Sequence, residues 1–233
     1  MGGLTRSAVE FALMQMQEEN IMKHNKNAEY KCPDLLKEDF WKLFVSNASG
    51  VLRKRGLYKE FIVDDYNREI LKQLYLYLTG NKACKLNVNA GIILAGPVGC
   101  GKSVIMESFV NTYNRLCKRA IISIHTKDLV AQIKKEGVSS KNRYQPLYID
   151  DMGRESDEIK DFGNVLTPMV DLFAARYDSG SRTFATTNFN YEELEKKYGE
   201  FIVSRLKEMC NFVVMIGPSK RVENPIQTYG KKI

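Results

Sequence analysis

Three observations predict an α/β fold with a parallel sheet covered by helices on both faces: short apolar runs alternate with amphipathic helical patterns, a glycine-rich loop separates one such run from one such helix, and several of the runs end in polar groups. The loop is the most specific of the three. Gly91-Ile92-Ile93-Leu94-Ala95 reads as a buried strand, and Gly96-Pro97-Val98-Gly99-Cys100-Gly101-Lys102-Ser103 follows at once, fitting G-x-x-x-x-G-K-[ST] at every fixed position. Glycines without a Cβ let successive N–H groups turn toward one point. Those donors and the positive end of a helix starting near Gly101 form an anion cradle. In such a cradle Lys102 reaches β- and γ-phosphates and the Ser103 hydroxyl holds Mg²⁺. The nucleotide-contacting set is therefore Gly96, Pro97, Val98, Gly99, Cys100, Gly101, Lys102 and Ser103, with Val104 behind them.

A chain of 233 residues accommodates one large domain, or a core of ordinary domain size with a smaller appendage. Its 44% hydrophobic and 27% charged residues are those of a soluble globular protein rather than of a disordered one. No run of about 18 apolar residues occurs, so a membrane-spanning helix is not expected. A secretory leader is not expected either, because the N-terminal residues lack a continuous apolar stretch with a small-residue cleavage site. Five cysteines without a C-x-x-C fit reduced cytoplasmic thiols better than disulfides or zinc ligands. A formal charge of +7 permits a nucleic-acid partner without requiring one.

Residues 1–56 differ from the rest. Leu4, Ala8, Val9, Phe11, Ala12, Leu13 and Met16 recur at helical spacing, and Leu35, Leu36, Phe40, Trp41, Leu43 and Phe44 do so again after Pro33-Asp34, with a stop expected at Asn47 to Gly50. Two short helices make a poor core alone, so they either pack on the main domain or present an adhesive face to a partner. Arg53-Lys54-Arg55-Gly56 marks the junction. A helix capped by Asp64 and stopped by Gly80 precedes the first strand. Beyond the loop the pattern predicts a helix over 104–117, a strand over 120–124, a helix capped by Thr126 and ended by Gly137, and a strand at Leu147-Tyr148-Ile149 ending in two carboxylates. A helix over 162–177, kinked at Pro168, comes next, then a strand over 183–187. Asn190 and Glu193 form a capping box for helical residues running to Met209, and a strand over 212–216 closes the alternation.

In an open α/β sheet the ligand sits beyond the carboxyl ends of the strands. Asp150 is placed there to orient Mg²⁺ or its water ligands, and Asp151 to polarise an attacking water. Asn188 ends another strand, within hydrogen-bonding reach of a γ-phosphate or water. Arg205 lies on the last helix; spacing alone allows either a surface ion pair or a guanidinium that stabilises charge on a transferring phosphoryl group, in its own chain or across a subunit boundary. His24 and His125 carry no functional argument.

The phosphate loop, Leu147 to Asp151, Phe184-Ala185-Thr186-Thr187-Asn188 and Ser204-Arg205-Leu206, in this order and spacing, resemble the DnaC-like helicase loaders. These are AAA+ ATPases, and the transposition ATPase IstB is a close relative. Arg176-Tyr177 and Gly217-Pro218-Ser219-Lys220-Arg221 are similar to that family as well, and the likeness extends over about residues 60–225. It implies a P-loop AAA+ core with a five-stranded parallel sheet of order 5-1-4-3-2, a small helical N-terminal region and no C-terminal lid. By position it implies Walker A at the loop, Walker B at Asp150-Asp151, Asn188 as sensor, Arg205 as an arginine finger acting on a neighbouring subunit's ATP, and Arg221 as a second sensor-like arginine. The implied division is a partner-binding region at 1–56, an ATPase core at 57–217 and a tail at 218–233. The implied partners are a hexameric replicative helicase, single-stranded DNA and further copies of the chain in an ATP-dependent oligomer, with a transposase as the alternative to the helicase. Two departures stand out. Asp151 replaces the Glu of many AAA+ proteins, withdrawing the carboxylate by about one C–C bond, so slow hydrolysis and a switch-like use of nucleotide are expected. The 126–145 link is shorter than in many loaders, leaving Lys134, Lys135, Lys141 and Arg143 as the basic residues available for phosphate contacts.

Overall fold

The computed structural model describes residues 31–117, 120–155, 159–161 and 164–221. The predicted helix around Leu4 to Met16, and the part of the predicted tail after residue 221, lie outside them. At the centre are five parallel strands: β1 (Gly91–Ala95), β2 (Ile122–His125), β3 (Leu147–Met152), β6 (Thr183–Thr187) and β7 (Cys210–Val214), in spatial order β2-β3-β6-β1-β7. Counted in sequence among themselves, they give the predicted 5-1-4-3-2. A separate antiparallel pair, β4 (Ile159–Asp161) and β5 (Asn164–Leu166), follows β3.

The period-2 geometry of strands divides the core into two layers. Ile92 and Leu94 of β1, Tyr148 of β3 and Phe184 of β6 face one layer; Ile93, Leu147, Ile149 and Ala185 face the other. The first layer is closed by α1 (Lys37–Lys54), α2 (Arg68–Thr79) and α3 (Lys102–Leu116). The second is closed by α4 (Thr126–Glu136), α6 (Pro168–Asp178), α7 (Tyr191–Tyr198) and α8 (Glu200–Met209), with α5 (Ser140–Tyr144) beside α6.

Helix α1 packs on the main domain, which decides between the two readings of its apolar face. Phe40 and Phe44 are fully buried against Tyr75 and Phe61, and each buried ring contributes on the order of 2–3 kcal/mol. The predicted stop at Asn47 to Gly50 does not occur. Asn47 donates its amide to the Thr112 hydroxyl of α3 at 2.9 Å, and the Ser49 hydroxyl accepts from the Phe61 N–H at 3.1 Å. Polar residues that weaken an isolated helix are satisfied here by tertiary partners, and the helix continues to Lys54.

Other boundaries shift for identifiable reasons. Pro168 opens α6 rather than kinking a longer helix, because at a first helical position the missing N–H removes no bond. The residues before it form the β4–β5 pair. Asn67, not Asp64, is the N-cap of α2, and the Asp64 carboxylate instead accepts from the N–H groups of Tyr66 and Asn67 in the preceding turn. His125, not Thr126, caps α4, its Nδ1 accepting from the Lys127 N–H. The strands predicted at 120–124 and 212–216 lie at Ile122–His125 and Cys210–Val214. The capping box at Asn190 and Glu193 is present as read, although Gly199 at φ 82° divides the following helical run into α7 and α8.

Candidate nucleotide site

The order of the sheet brings the carboxyl ends of β1, β3 and β6 side by side, and a cavity of about 610 Å³ lies beyond them. Its lining includes the polar stretch Gly99, Cys100, Gly101, Lys102 and Ser103 with Asp150, Asp151 and Asn188, and Val104 beside them; Leu52, Leu57, Phe61, Ile62 and Tyr66 contribute apolar surface. Three loci widely spaced in sequence therefore meet at one place, as the strand-end reading requires.

The loop turns at Gly99 and Gly101, with φ of 87° and 104°, values that an L side chain rarely adopts. Gly101 is the N-cap of α3, so the loop's N–H groups and the positive helix end share one side of the cavity. Lys102 is only 5% exposed, and its ammonium uses all three donors: to the carbonyls of Gly96 at 2.7 Å and Pro97 at 2.8 Å, and to Asn188 Oδ1 at 2.8 Å. Burial pulls the Lys102 pKa below its ordinary value, against the opposing pull of Cys100 and the two aspartates. A second anionic group arriving in the cradle offsets that desolvation.

Asp150 is held by hydroxyls. Tyr148 Oη donates to its Oδ1 at 2.8 Å and Thr186 Oγ1 at 2.6 Å. Burial raises the Asp150 pKa, but the hydroxyl bonds from Thr186, Tyr148 and Ser103 outweigh it and keep the carboxyl below the usual carboxylate value. Tyr148 is driven well above the ordinary phenol range, first by burial and then by the Asp150 charge. The carboxylate is thus ionised, with the phenol and hydroxyls neutral around it. Ser103 and Asp150 together offer hard oxygen donors of the kind Mg²⁺ takes, so the residues present fit that ion.

Asp151 sits one residue further on but in a different conformation. Its φ of 59° is the one positive value at a non-glycine residue among the described residues, and the β3–β6 register shifts between Ile149 and Met152. The irregularity brings the Asp151 N–H to Thr186 Oγ1 at 3.0 Å and turns its carboxylate toward Arg154 at 3.1 Å. His125 Nε2 lies 3.8 Å from the same carboxylate, so a residue without a sequence-based role stands beside a predicted catalytic one.

Arg221 lies on the cavity rim with the tail residues Pro218 and Lys220. Here sequence reasoning missed a strap. The Lys220 N–H donates to the Gly99 carbonyl at 2.9 Å, its ammonium pairs with Asp64, and Lys59 donates to the Lys220 carbonyl at 3.2 Å. Tyr148 and Thr186 were missed too. Tyr148 was legible, because residues two apart on a strand share a face and Tyr148 precedes Asp150 by two. Nothing local marks Thr186 as its partner; that depends on strand order.

Arg205 is not brought to the cavity. It projects from α8 with its guanidinium stacked 4.1 Å from the Phe201 ring centroid and 4.7 Å from that of Tyr177, and 3.9 Å from Asp178 Oδ1. The basic residues of the 126–145 link are also separate: Lys135 pairs with Glu136 at 3.5 Å, and Arg143 lies 5.4 Å from the centroid of Tyr144. Among the described residues no helix is long and apolar enough to cross a membrane.

No family model matches the sequence. No curated protein matches it either. Solved structures do. The DnaC helicase loader aligns over 67% of this chain and 93% of its own with TM-score 0.54 at 18% identity. DnaI aligns over 69% and 87%, with TM-score 0.52 and 18% identity. A protein of Streptococcus pyogenes serotype M3, described as a candidate primosome component, aligns over 84% and 97%, with TM-score 0.53 and 15% identity. The fold predicted from the motifs, a five-stranded parallel sheet of order 5-1-4-3-2 with a phosphate loop after its first strand, is the fold this chain shares with the DnaC helicase loader and DnaI.

Proposed function

We propose that this protein is an ATP-binding and ATP-hydrolysing AAA+ protein that helps load a hexameric replicative helicase onto single-stranded DNA in the cytoplasm. The observation that carries the nucleotide part is the meeting of Lys102, Ser103, Asp150, Asp151 and Asn188 around one cavity with an apolar wall. The loop N–H groups and Lys102 bind the phosphates, and the apolar wall takes the base. Ser103 and Asp150 would hold Mg²⁺, which would supply positive charge to offset that of the phosphates. Asn188 shifts from Lys102 to the γ-phosphate or the attacking water, and Asp151 polarises that water. Arg221 contacts phosphate from the rim. Arg205, outside its own cavity and stiffened by two aromatic rings, serves the ATP of a neighbouring copy. Asp151 is short and engaged by Arg154, which supports slow turnover.

The loader reading rests on the shared fold with the DnaC helicase loader and DnaI. The N-terminal region, residues 1–56, grips the helicase. Since α1 is part of the first core layer, the informative deletion removes residues 1–30 and leaves α1 in place. Purified protein is expected to co-elute with the helicase of its source cell and to lose that binding in the deletion while keeping nucleotide binding. Co-elution with a transposase and not the helicase would replace the loader reading with the transposition one.

A further inference from the structure

Of the five cysteines, two meet. Cys32 Sγ and Cys117 Sγ are 3.1 Å apart, although the residues are separated by 85 positions. The other three thiols face different groups: Cys84 the Gln73 carbonyl at 3.8 Å, Cys100 the Lys102 ammonium at 3.8 Å, and Cys210 the Thr183 carbonyl at 3.4 Å. The backbones carrying the meeting pair are tied in place. The Cys32 N–H donates to the Leu78 carbonyl at 2.8 Å and the Cys32 carbonyl accepts from the Leu35 N–H at 3.1 Å, fixing the approach to α1. Cys117 is the C-cap of α3, its N–H donating to the Tyr113 carbonyl at 2.8 Å. A disulfide requires the sulfurs to close to about 2.05 Å, about 1 Å less than their present separation.

We infer that Cys32 and Cys117 form a reversible disulfide clasp, a modification site for hydroperoxide-class oxidants, which fastens the chain entering α1 to the far end of the helix that begins at the phosphate loop. Both thiols are partly exposed, and burial and then the Cys32 sulfur raise the pKa of Cys117, which suits Cys117 to the resolving role. Cys32 takes the attacking role. Its thiolate takes the terminal peroxide oxygen to give a sulfenic acid, and the rest of the hydroperoxide leaves as alkoxide (hydroxide when the oxidant is hydrogen peroxide) and is protonated to the alcohol. The Cys117 sulfur then attacks the Cys32 sulfur, its proton passing to the departing hydroxide as water. Overall, two thiols and one hydroperoxide give one disulfide, water and the corresponding alcohol (a second water when the oxidant is hydrogen peroxide). The thiols are oxidised by two electrons and the O–O bond is reduced by two. The α3 helix is about 22 Å long, so the clasp closes well away from the phosphate cradle and its test needs no nucleotide.

The experiment treats the full chain with hydrogen peroxide, alkylates the remaining thiols and maps peptides without reduction. The expected result is a Cys32–Cys117 linked peptide, three alkylated cysteines, and a melting temperature raised by about 5–10 °C that dithiothreitol reverses. Neither Cys32→Ser nor Cys117→Ser should show the rise. The inference is overturned if Cys32 ends as sulfinic acid beside a free Cys117, if the link joins two chains, or if Cys100 is oxidised while both members of the pair still alkylate.

Discussion

The two ends of this molecule treat their charged side chains in opposite ways. At the cavity, Lys102, Asp150 and Asn188 come from three strand ends and are bonded into their own chain: Lys102 to Asn188, Asp150 to Tyr148 and Thr186. On α8, Arg205 has one ion-pair partner among the described residues, Asp178 at 3.9 Å, and is positioned mainly by the faces of Tyr177 and Phe201, the latter 67% exposed. The first arrangement is a site assembled within one chain. The second is a half-buried cation held against aromatic faces outside the cavity, suited to a site assembled between chains. Variants at each end should therefore behave differently, and those differences test the contrast.

The largest effect is expected at the open end. Arg205→Ala should reduce ATP turnover by about 10³-fold or more, the range for an arginine acting on phosphoryl transfer, measured by phosphate release. Nucleotide affinity should change by less than about 2-fold, since the side chain lies outside the cavity. Lys102→Ala should lower turnover by about 10²–10³-fold and weaken nucleotide binding as well. Mixed together, the two inactive proteins should regain part of the activity, because Lys102→Ala subunits still present Arg205 to the intact cavities of the other variant. A mixture with no recovery at any ratio would sink the between-chain assignment.

This contrast also marks how far the sequence can be read. The phosphate loop is contiguous, and its chemistry follows from residue types at fixed spacing, so residues 96–103 are legible from the order of amino acids alone. Asp150 is legible because a carboxylate ends an apolar run. The supports behind it are not: Thr186 reaches Asp150 only because β6 lies beside β3, a fact of strand order 36 positions away in sequence. The same limit explains α1. Asn47 and Ser49 look like helix-ending residues until Thr112 and Phe61 provide their partners. Pro168 carries either meaning in a helical pattern, a kink or a first position, and only the pairing of the residues before it decides. Arg205 is readable as a residue but not as a site, since spacing does not reveal a stack between Tyr177 and Phe201.

Within the closed end, the hydroxyl shell of Asp150 gives a smaller effect. Tyr148→Phe removes one donor from the carboxylate and leaves the packing nearly unchanged, for a cost of about 1 kcal/mol, or roughly 5-fold in the Mg²⁺ dependence of nucleotide binding. Equal Mg²⁺ titration curves for the two proteins would mean that Tyr148 serves packing alone. A change in the Arg205→Ala protein's Mg²⁺ dependence would blur the distinction between the ends.

The smallest effect should come from the strap that joins the tail to the cavity wall. Burial raises the Asp64 pKa, but the Lys220 ammonium and the N–H groups of Asn67 and Tyr66 outweigh it, so the carboxyl is held below its ordinary 3.8. A depressed carboxylate stabilises the fold above its unfolded-state pKa and loses that contribution as pH falls through the folded value. Both partners are about one-third exposed, so the pair contributes only about 0.2–1 kcal/mol, less at high salt. Asp64→Asn should accordingly lower the melting temperature by about 1–3 °C at neutral pH and converge with the unmodified protein as pH falls through the folded-state value, which lies below 3.8. The Lys220 backbone bond to Gly99 survives this change, so phosphate binding should persist while nucleotide dissociation quickens a few-fold, by about the factor that 1 kcal/mol allows. If dissociation is unchanged while the melting temperature falls, the strap only joins tail to wall; if both move together, the tail's grip on Asp64 retains the nucleotide within its own chain, independently of Arg205.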